Sequence, residues 1–250
     1  MSPAQYISFE IFKSHPQVIC LFSTRNGGVS SGPYASLNLG LKTGDQKEMV
    51  IENRRLFFDE INIPQSQIAF TDQVHSGNVK HAIHPGIFNQ TDALITDKDS
   101  LFLVIQTADC FPVFLYDQRK MAVAAIHAGW QGVLNDIIEN TIEKMTRIFY
   151  SNPADIIGAI GPGLQRECFE IRRDLFSRID KNYLSAHPDK EKRLFDLNRL
   201  ITDRLIQQGI KPENVSTTEI CSRCDHNNFY SFRRDKNLSG RMFGIIGIHK

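Results

Sequence analysis

At Gly129 the apolar rhythm of this chain changes. Before that residue come short apolar runs rich in β-branched and aromatic residues: QVICLFS from Gln17, LFLVIQ from Leu101, FPVFLYD from Phe111 and MAVAAIHA from Met121. Runs of this length and composition predict strands. Beyond Gly129, Val133, Ile137, Ile138, Ile142, Met145, Ile148 and Phe149 recur at steps of three and four, which predicts a helix with one buried face.

The remaining segments fall into the same two kinds. Gln46 to Ile61 reads as an amphipathic helix with Val50, Leu56 and Phe57 on one side. DIIGAIGPG predicts a buried strand that ends in the turn Gly161-Pro162-Gly163. Two further helices are expected over Arg172 to Tyr183 and Leu197 to Gln208, with Gly209 placed to supply a left-handed C-cap residue. VSTTEI and MFGIIGI return to strands. With no internal repeat or linker, the expectation is one α/β domain over residues 1–250, built on a mixed sheet.

Charge narrows the partners. Lys plus Arg number 29 against 28 Asp plus Glu, so no overall field draws the chain to nucleic acid or an anionic membrane. A small-molecule ligand is expected instead. The first residues lack a basic region followed by an apolar core, and no run approaches the ~20 residues of a membrane span, which predicts a cytoplasmic protein. Five cysteines at irregular spacing do not suit a secreted disulfide framework and are expected to be reduced. Cys221 and Cys224 form C-S-R-C, but Cys20 and Cys168 supply no second pair at zinc-ribbon spacing, so the pair reads as partly buried thiols at a strand end.

Three residues carry metal chemistry. QTADCFPVF sets Cys110 between two strands, AAIHAGWQG sets His127 where a strand gives way to a glycine-flanked turn, and FTDQVHSGNV offers His75 in a polar turn. Two imidazoles and a thiolate are a three-ligand zinc set with a fourth position left for water or substrate. Separated this far in sequence, they also read as a buried structural cysteine and two satisfied histidines, and chemistry alone leaves both readings open.

The motifs STRNGGVSSGPYASLNLG, NRR, QVHS, TDALIT, TADC, HAGW, AIGPG, SFRRD and GRM run in that order from Ser23 to Gly247. Together they resemble the laccase-domain family, first described as multicopper polyphenol oxidases and later as purine nucleoside phosphorylases. The resemblance implies an α/β sandwich and metal ligation by His75, Cys110 and His127, with zinc as the ion and copper as the alternative. It implies phosphorolysis of adenosine, inosine and S-methyl-5′-thioadenosine, together with deamination of adenosine. Departures from the family pattern occur at Gln131, where a basic residue usually follows HAGW, and at Ser76, where glycine usually follows QVH; they bear on substrate preference.

Phosphorolysis needs an anion held beside C1′ of the sugar. Arg25, in the glycine-flanked turn, suits that task, because guanidinium grips phosphate bidentately and flanking N–H groups form an anion nest. Deamination needs a water activated at neutral pH, which zinc provides by lowering its pKa to about 7. Asp109 and Asp92 are the carboxylates expected to move protons or to buttress the loops. Asn38, the Gly161-Pro162-Gly163 turn, Arg233, Arg234 and Arg241 are further site candidates. The competing readings are a copper-dependent phenol oxidase, which the absence of any H-x-H pair disfavours, and a nucleoside sensor without turnover. The expected partners are purine nucleosides and phosphate, and the expected assembly is a monomer or a weak homo-oligomer.

Overall fold

The computed structural model describes residues 3–249. Among them, two six-stranded mixed sheets carry the fold. The first runs in the order β1 (Tyr6–Ser8), β2 (Val18–Ser23), β15 (Met242–Ile248), β7 (Phe102–Thr107), β3 (Ile68–Thr71) and β5 (Gly86–Phe88). The second runs β14 (Val215–Thr217), β10 (Ile156–Ile160), β8 (Phe111–Asp117), β9 (Ala122–Ala128), β6 (Ala93–Thr96) and β4 (Val79–His81). A small antiparallel sheet, β11 (Glu170–Arg172), β13 (Lys192–Phe195) and β12 (Leu184–Ala186), is a third hydrogen-bonded unit whose Ile171 and Phe195 join the hydrophobic cluster on the second sheet.

Side-chain alternation shows how the layers stack. Leu103 and Ile105 of β7, and Ile246 and Ile248 of β15, meet Phe114 and Tyr116 of β8 and Val123 and Ala125 of β9 in the space between the two sheets. The opposite face of the first sheet, with Phe102, Val104, Phe243 and Ile245, is covered by Phe57 and Phe58 of α1 (Lys47–Glu60). The opposite face of the second sheet, with Phe111, Val113, Leu115, Ala124 and Ile126, is covered by α3 (Ile137–Phe149) and α4 (Leu197–Gln207). The result is a four-layer αββα sandwich, an α/β fold with mixed sheets as expected. Both faces of the central strands are dry, so these strands read as unbroken apolar runs.

The helices follow their sequence signals with two exceptions. In α3, Ile137, Ile138, Thr141, Ile142, Met145 and Phe149 are buried on one face. That helix does not continue back to Gly129: α2 (Trp130–Leu134) precedes it, and the two are separated by Asp136, which sits at φ 59°. The left-handed residue breaks the hydrogen-bond ladder and turns the chain. Over Arg172 to Tyr183, expected as one helix, the chain forms two short 3-10 segments, Arg173–Arg178 and Lys181–Tyr183. Asp180 interrupts there, because its carboxylate accepts the Asn182 backbone N–H and starts a new turn. α4 ends as expected, with Gly209 at φ 96° just past its C-cap. In α1, Leu56 is only half-buried, and a polar residue, Asn53, shares the buried face with Val50, Phe57 and Phe58.

Candidate metal centre

Strand register brings the three donors together. β8 and β9 pair so that Phe111 faces Ala128 and Pro112 faces His127, which sets Cys110, one residue before β8, against the end of β9. β6 pairs with β9 on its other side, with Ala93 opposite Ile126, so that Asp92 lies beside His127. His75 comes from the turn that follows β3 of the other sheet. The donor atoms of His75, Cys110 and His127 all lie within 4.8 Å of one another. His75 Nε2 is 3.9 Å from Cys110 Sγ, and the two imidazoles meet edge to face with centroids 4.8 Å apart.

The surroundings fit a metal ion in three respects. First, Asp92, fully buried, holds both histidine segments. Its Oδ1 accepts the His75 backbone N–H and His127 Nδ1–H, each at 2.9 Å. Its Oδ2 accepts the Ser76 backbone N–H and hydroxyl, each at 2.8 Å, and the Val74 N–H at 3.2 Å. With Nδ1 protonated against the carboxylate, His127 presents Nε2 as the ligand atom, the usual outer-shell arrangement of a metal-bound histidine. Second, a Cβ at Gly129 would stand 2.8 Å from Cys110 Sγ and 3.0 Å from His75 Cδ2, so only glycine leaves room for the converging ligands. Third, strained backbone collects here: His75 itself has φ 59°, and Asp109, next to Cys110, has φ 92°.

The electrostatics favour the ligand forms. Burial opposes ionisation of Asp92, yet its hydrogen bonds to and the charge of His127, with the Ser76 donors, hold its carboxyl at about 2. Burial likewise opposes the Cys110 thiolate, but His127 and His75 bring the thiol down to about 6. His127 rises to about 9 against its own burial, because Cys110 and Asp92 both favour its charged form. The protein alone therefore holds a thiolate–imidazolium pair at neutral pH.

The three donors open onto a cavity of about 610 Å³. Apolar and aromatic side chains line it, among them Phe70, Ile87, Trp130, Leu164, Phe169 and Phe232, and Gln73, Gln106 and Gln131 supply amides. Lys42, Arg54, Arg233, Lys236 and Arg241 face two carboxylates, Asp72 and Asp109, so the lining is net basic.

The other candidates from the sequence divide between cavity and scaffold. Asp109 lines the cavity, but its carboxylate accepts the Ser222 hydroxyl at 2.8 Å and the Arg233 backbone N–H, which ties it to the neighbouring loop. Asp92 lies behind His127, outside the cavity lining. Arg25 is not brought to the cavity. Its guanidinium donates to the carbonyls of Ala35, His226 and Pro33 and stacks over the Tyr230 ring at 4.5 Å, so its donors are already engaged. Asn38 is a buried strut: its Oδ1 accepts the Gly40 and Arg241 backbone N–H groups. Gly161 and Gly163 answer to packing, since a Cβ on either would press on Pro112 or Phe111. Arg233 and Arg241 line the cavity, whereas Arg234 is spent on the Ser222, Arg223 and Phe229 carbonyls and on Asp235.

Two features escaped the sequence reading. Arg54, in the NRR motif, lines the cavity, and among the described residues only its Nε is engaged, on the Leu39 carbonyl at 2.8 Å. It stacks on Phe70 and Phe243 and has no carboxylate partner among the described residues, and burial lowers its pKa to about 10. The signal was its motif, which also places Asn53, the residue that pins the glycine turn by accepting the Val29 N–H. The second is Cys168. In sequence C-S-R-C reads as an isolated pair, but the fold carries the Cys168 sulfur to within 4.8 Å of those of Cys221 and Cys224, and Cys224 is exposed rather than partly buried.

Fold and site together define a class. The chain belongs to the multi-copper polyphenol oxidoreductase laccase family, whose model matches residues 19–249. Within it, the chain is 32% identical to purine nucleoside phosphorylase YlmD of Bacillus subtilis, an alignment covering 94% of this chain and 90% of that protein. It is 35% identical to purine nucleoside phosphorylase YfiH of Escherichia coli, covering 90% of this chain and 91% of the relative. The crystal structure of Bacillus licheniformis hypothetical protein YfiH superposes with a TM-score of 0.92 at 29% identity, covering 99% of this chain and 97% of that one. No helix among the described residues is long and apolar enough to cross a membrane.

Proposed function

We propose that this chain is a zinc-dependent purine nucleoside phosphorylase that splits adenosine, inosine and S-methyl-5′-thioadenosine with phosphate and also deaminates adenosine. The observation that carries this reading is the convergence of a three-donor His/Cys/His set on a net-basic, aromatic-lined cavity. Three protein donors are the number that leaves a coordination position for water or substrate. A zinc ion held there supplies Lewis-acid polarisation.

The protein's own groups supply the rest. The aromatic wall offers faces against which a purine stacks, and the Gln106 and Gln131 amides offer donors and acceptors to its edge, whereas the Gln73 amide is tied to the Gln106 backbone. Arg54 is the best phosphate ligand, because its terminal nitrogens have no protein acceptor among the described residues and its guanidinium is held over the Phe70 and Phe243 rings. It takes the role first expected of Arg25. Asp109 holds the loop that carries Arg233, and Asp92 sets the tautomer of His127. A phenol oxidase of the multicopper type draws no comparable support: among the described residues the other metal-capable cluster consists of cysteines alone.

The test is incubation of zinc-loaded protein with adenosine, with and without phosphate, followed by chromatography. Adenine and ribose 1-phosphate are expected only with phosphate, and inosine in both reactions. Absence of all three products from protein with metal bound overturns the reading in favour of a sensor.

A further inference from the structure

A second cluster of soft donors lies outside the cavity. Cys168 closes a short 3-10 turn (Arg166–Cys168) after β10, and Cys221 and Cys224 open the loop that leads to α5 (Phe232–Asp235). The three Sγ atoms all lie within 4.8 Å of one another, and those of Cys168 and Cys224 are 3.3 Å apart. In a tetrahedral zinc–thiolate site, with Zn–S of about 2.3 Å, sulfurs sit about 3.8 Å apart. Small side-chain adjustments therefore bring all three onto one ion.

Two further observations separate this cluster from a chance meeting of thiols. Arg223 Nη1 lies 3.4 Å from Cys168 Sγ, and its positive charge offsets the single net negative charge of a divalent ion with three thiolates. The backbone is also tied around the cluster: Gly163 bridges Cys221, the Ser222 N–H donates to the Gly163 carbonyl, and Arg233 Nη1 donates to the Cys168 and Glu170 carbonyls.

We propose that Cys168, Cys221 and Cys224 form a second metal site, a thiolate-only site for zinc, that clamps the loop after β10 to the loop before α5. Both loops furnish the cavity wall, through Leu164 and Phe169 on one side and Phe232 and Arg233 on the other. The ion fixes that wall at a distance from the chemistry and leaves the His75, Cys110 and His127 centre unchanged. On binding, the thiol protons pass to solvent and no redox change occurs.

The test counts zinc per chain by elemental analysis after loading and desalting. Wild type is expected to hold two equivalents, the His75→Ala/His127→Ala variant one, the Cys221→Ser/Cys224→Ser variant one, and the combination none. Cadmium added to the His75→Ala/Cys110→Ala variant is expected to give a thiolate charge-transfer band that Cys224→Ser reduces; Cys224 is exposed, so this change leaves the circular dichroism of the fold intact. A single equivalent in wild type, lost with His75 and His127, overturns the proposal. So does a thiol count two short that is restored by reductant, which would mark a disulfide instead. Turnover enters neither readout, so failure here is distinguishable from failure of the nucleoside reading.

Discussion

Replacing Asp92 with Asn tests the framework of the centre. The two side chains have the same shape, but a carboxylate only accepts, whereas an amide presents two donors. Asp92 meets five donors, two on Oδ1 and three on Oδ2. Whichever oxygen becomes nitrogen confronts N–H groups. On the Oδ1 side these are the His75 N–H and the His127 ring, and the ring responds by moving its proton to Nε2, the atom needed for metal. At about 1–3 kcal/mol per buried unsatisfied group, and with one of these two clashes relieved by the tautomer change, the loss is about 1–3 kcal/mol. The carboxyl points the same way: held at about 2 against an ordinary 3.8 by these hydrogen bonds, it contributes about 2 kcal/mol.

The lowered value also fixes the sign of the pH dependence. Its contribution is present above pH 4 and lost as pH falls through 2. Calorimetry of chelator-treated wild type and Asp92→Asn is therefore expected to show a Tm gap of about 2–12 °C at pH 6 for a chain of this size. The gap narrows toward pH 2–3, and zinc affinity falls about 10–100-fold. A gap of zero at pH 6, or one that stays constant down to pH 2.5, refutes the argument.

Other outcomes follow from the same geometry. In chelator-treated protein, Cys110 is expected to react with iodoacetamide with a half-maximal rate near pH 6, because His127 stabilises its thiolate, and zinc is expected to suppress the reaction; a midpoint near 8.5 contradicts that pairing. Gly129→Ala places a methyl group 2.8 Å from Cys110 Sγ and is expected to weaken zinc binding at least tenfold while Tm without metal changes little; unchanged affinity in dialysis removes the steric account. Arg54→Ala is expected to raise the KM for phosphate about tenfold or more, at about 1.4 kcal/mol per decade. Arg25→Ala, which loses carbonyl contacts and the Tyr230 stack, is expected to lower Tm and leave that KM alone; the reverse pattern in steady-state kinetics restores Arg25 as the phosphate ligand.

The sequence disclosed the elements better than their layering. β8 and β9 were readable because every position is buried, but the same continuity hides which face points where, so two sheets and a four-layer stack could not be separated from one sheet. The break at Asp136 depends on one left-handed residue, and aspartate gives no compelling warning of that conformation. The three candidate donors are legible as residue types at strand ends, and family motifs link them; their convergence depends on pairing across 35 residues, which spacing cannot show. A glycine-flanked arginine such as Arg25 has the composition of an anion nest, and the carbonyls that its guanidinium meets come partly from His226, far along the chain, where sequence does not show them. Cys168 was hidden in the same way, 56 residues from the thiol it meets.

Phosphate-dependent release of adenine from adenosine by chelator-stripped protein, measured before and after zinc is restored, in wild type and in His75→Ala, tests the role of the His75, Cys110 and His127 centre most directly. Wild type is predicted to be inactive when stripped and to recover with zinc, and His75→Ala is predicted to stay inactive while keeping its fold. Full phosphorolysis by the stripped protein, or by His75→Ala, would contradict the claim that His75, Cys110 and His127 hold the working ion.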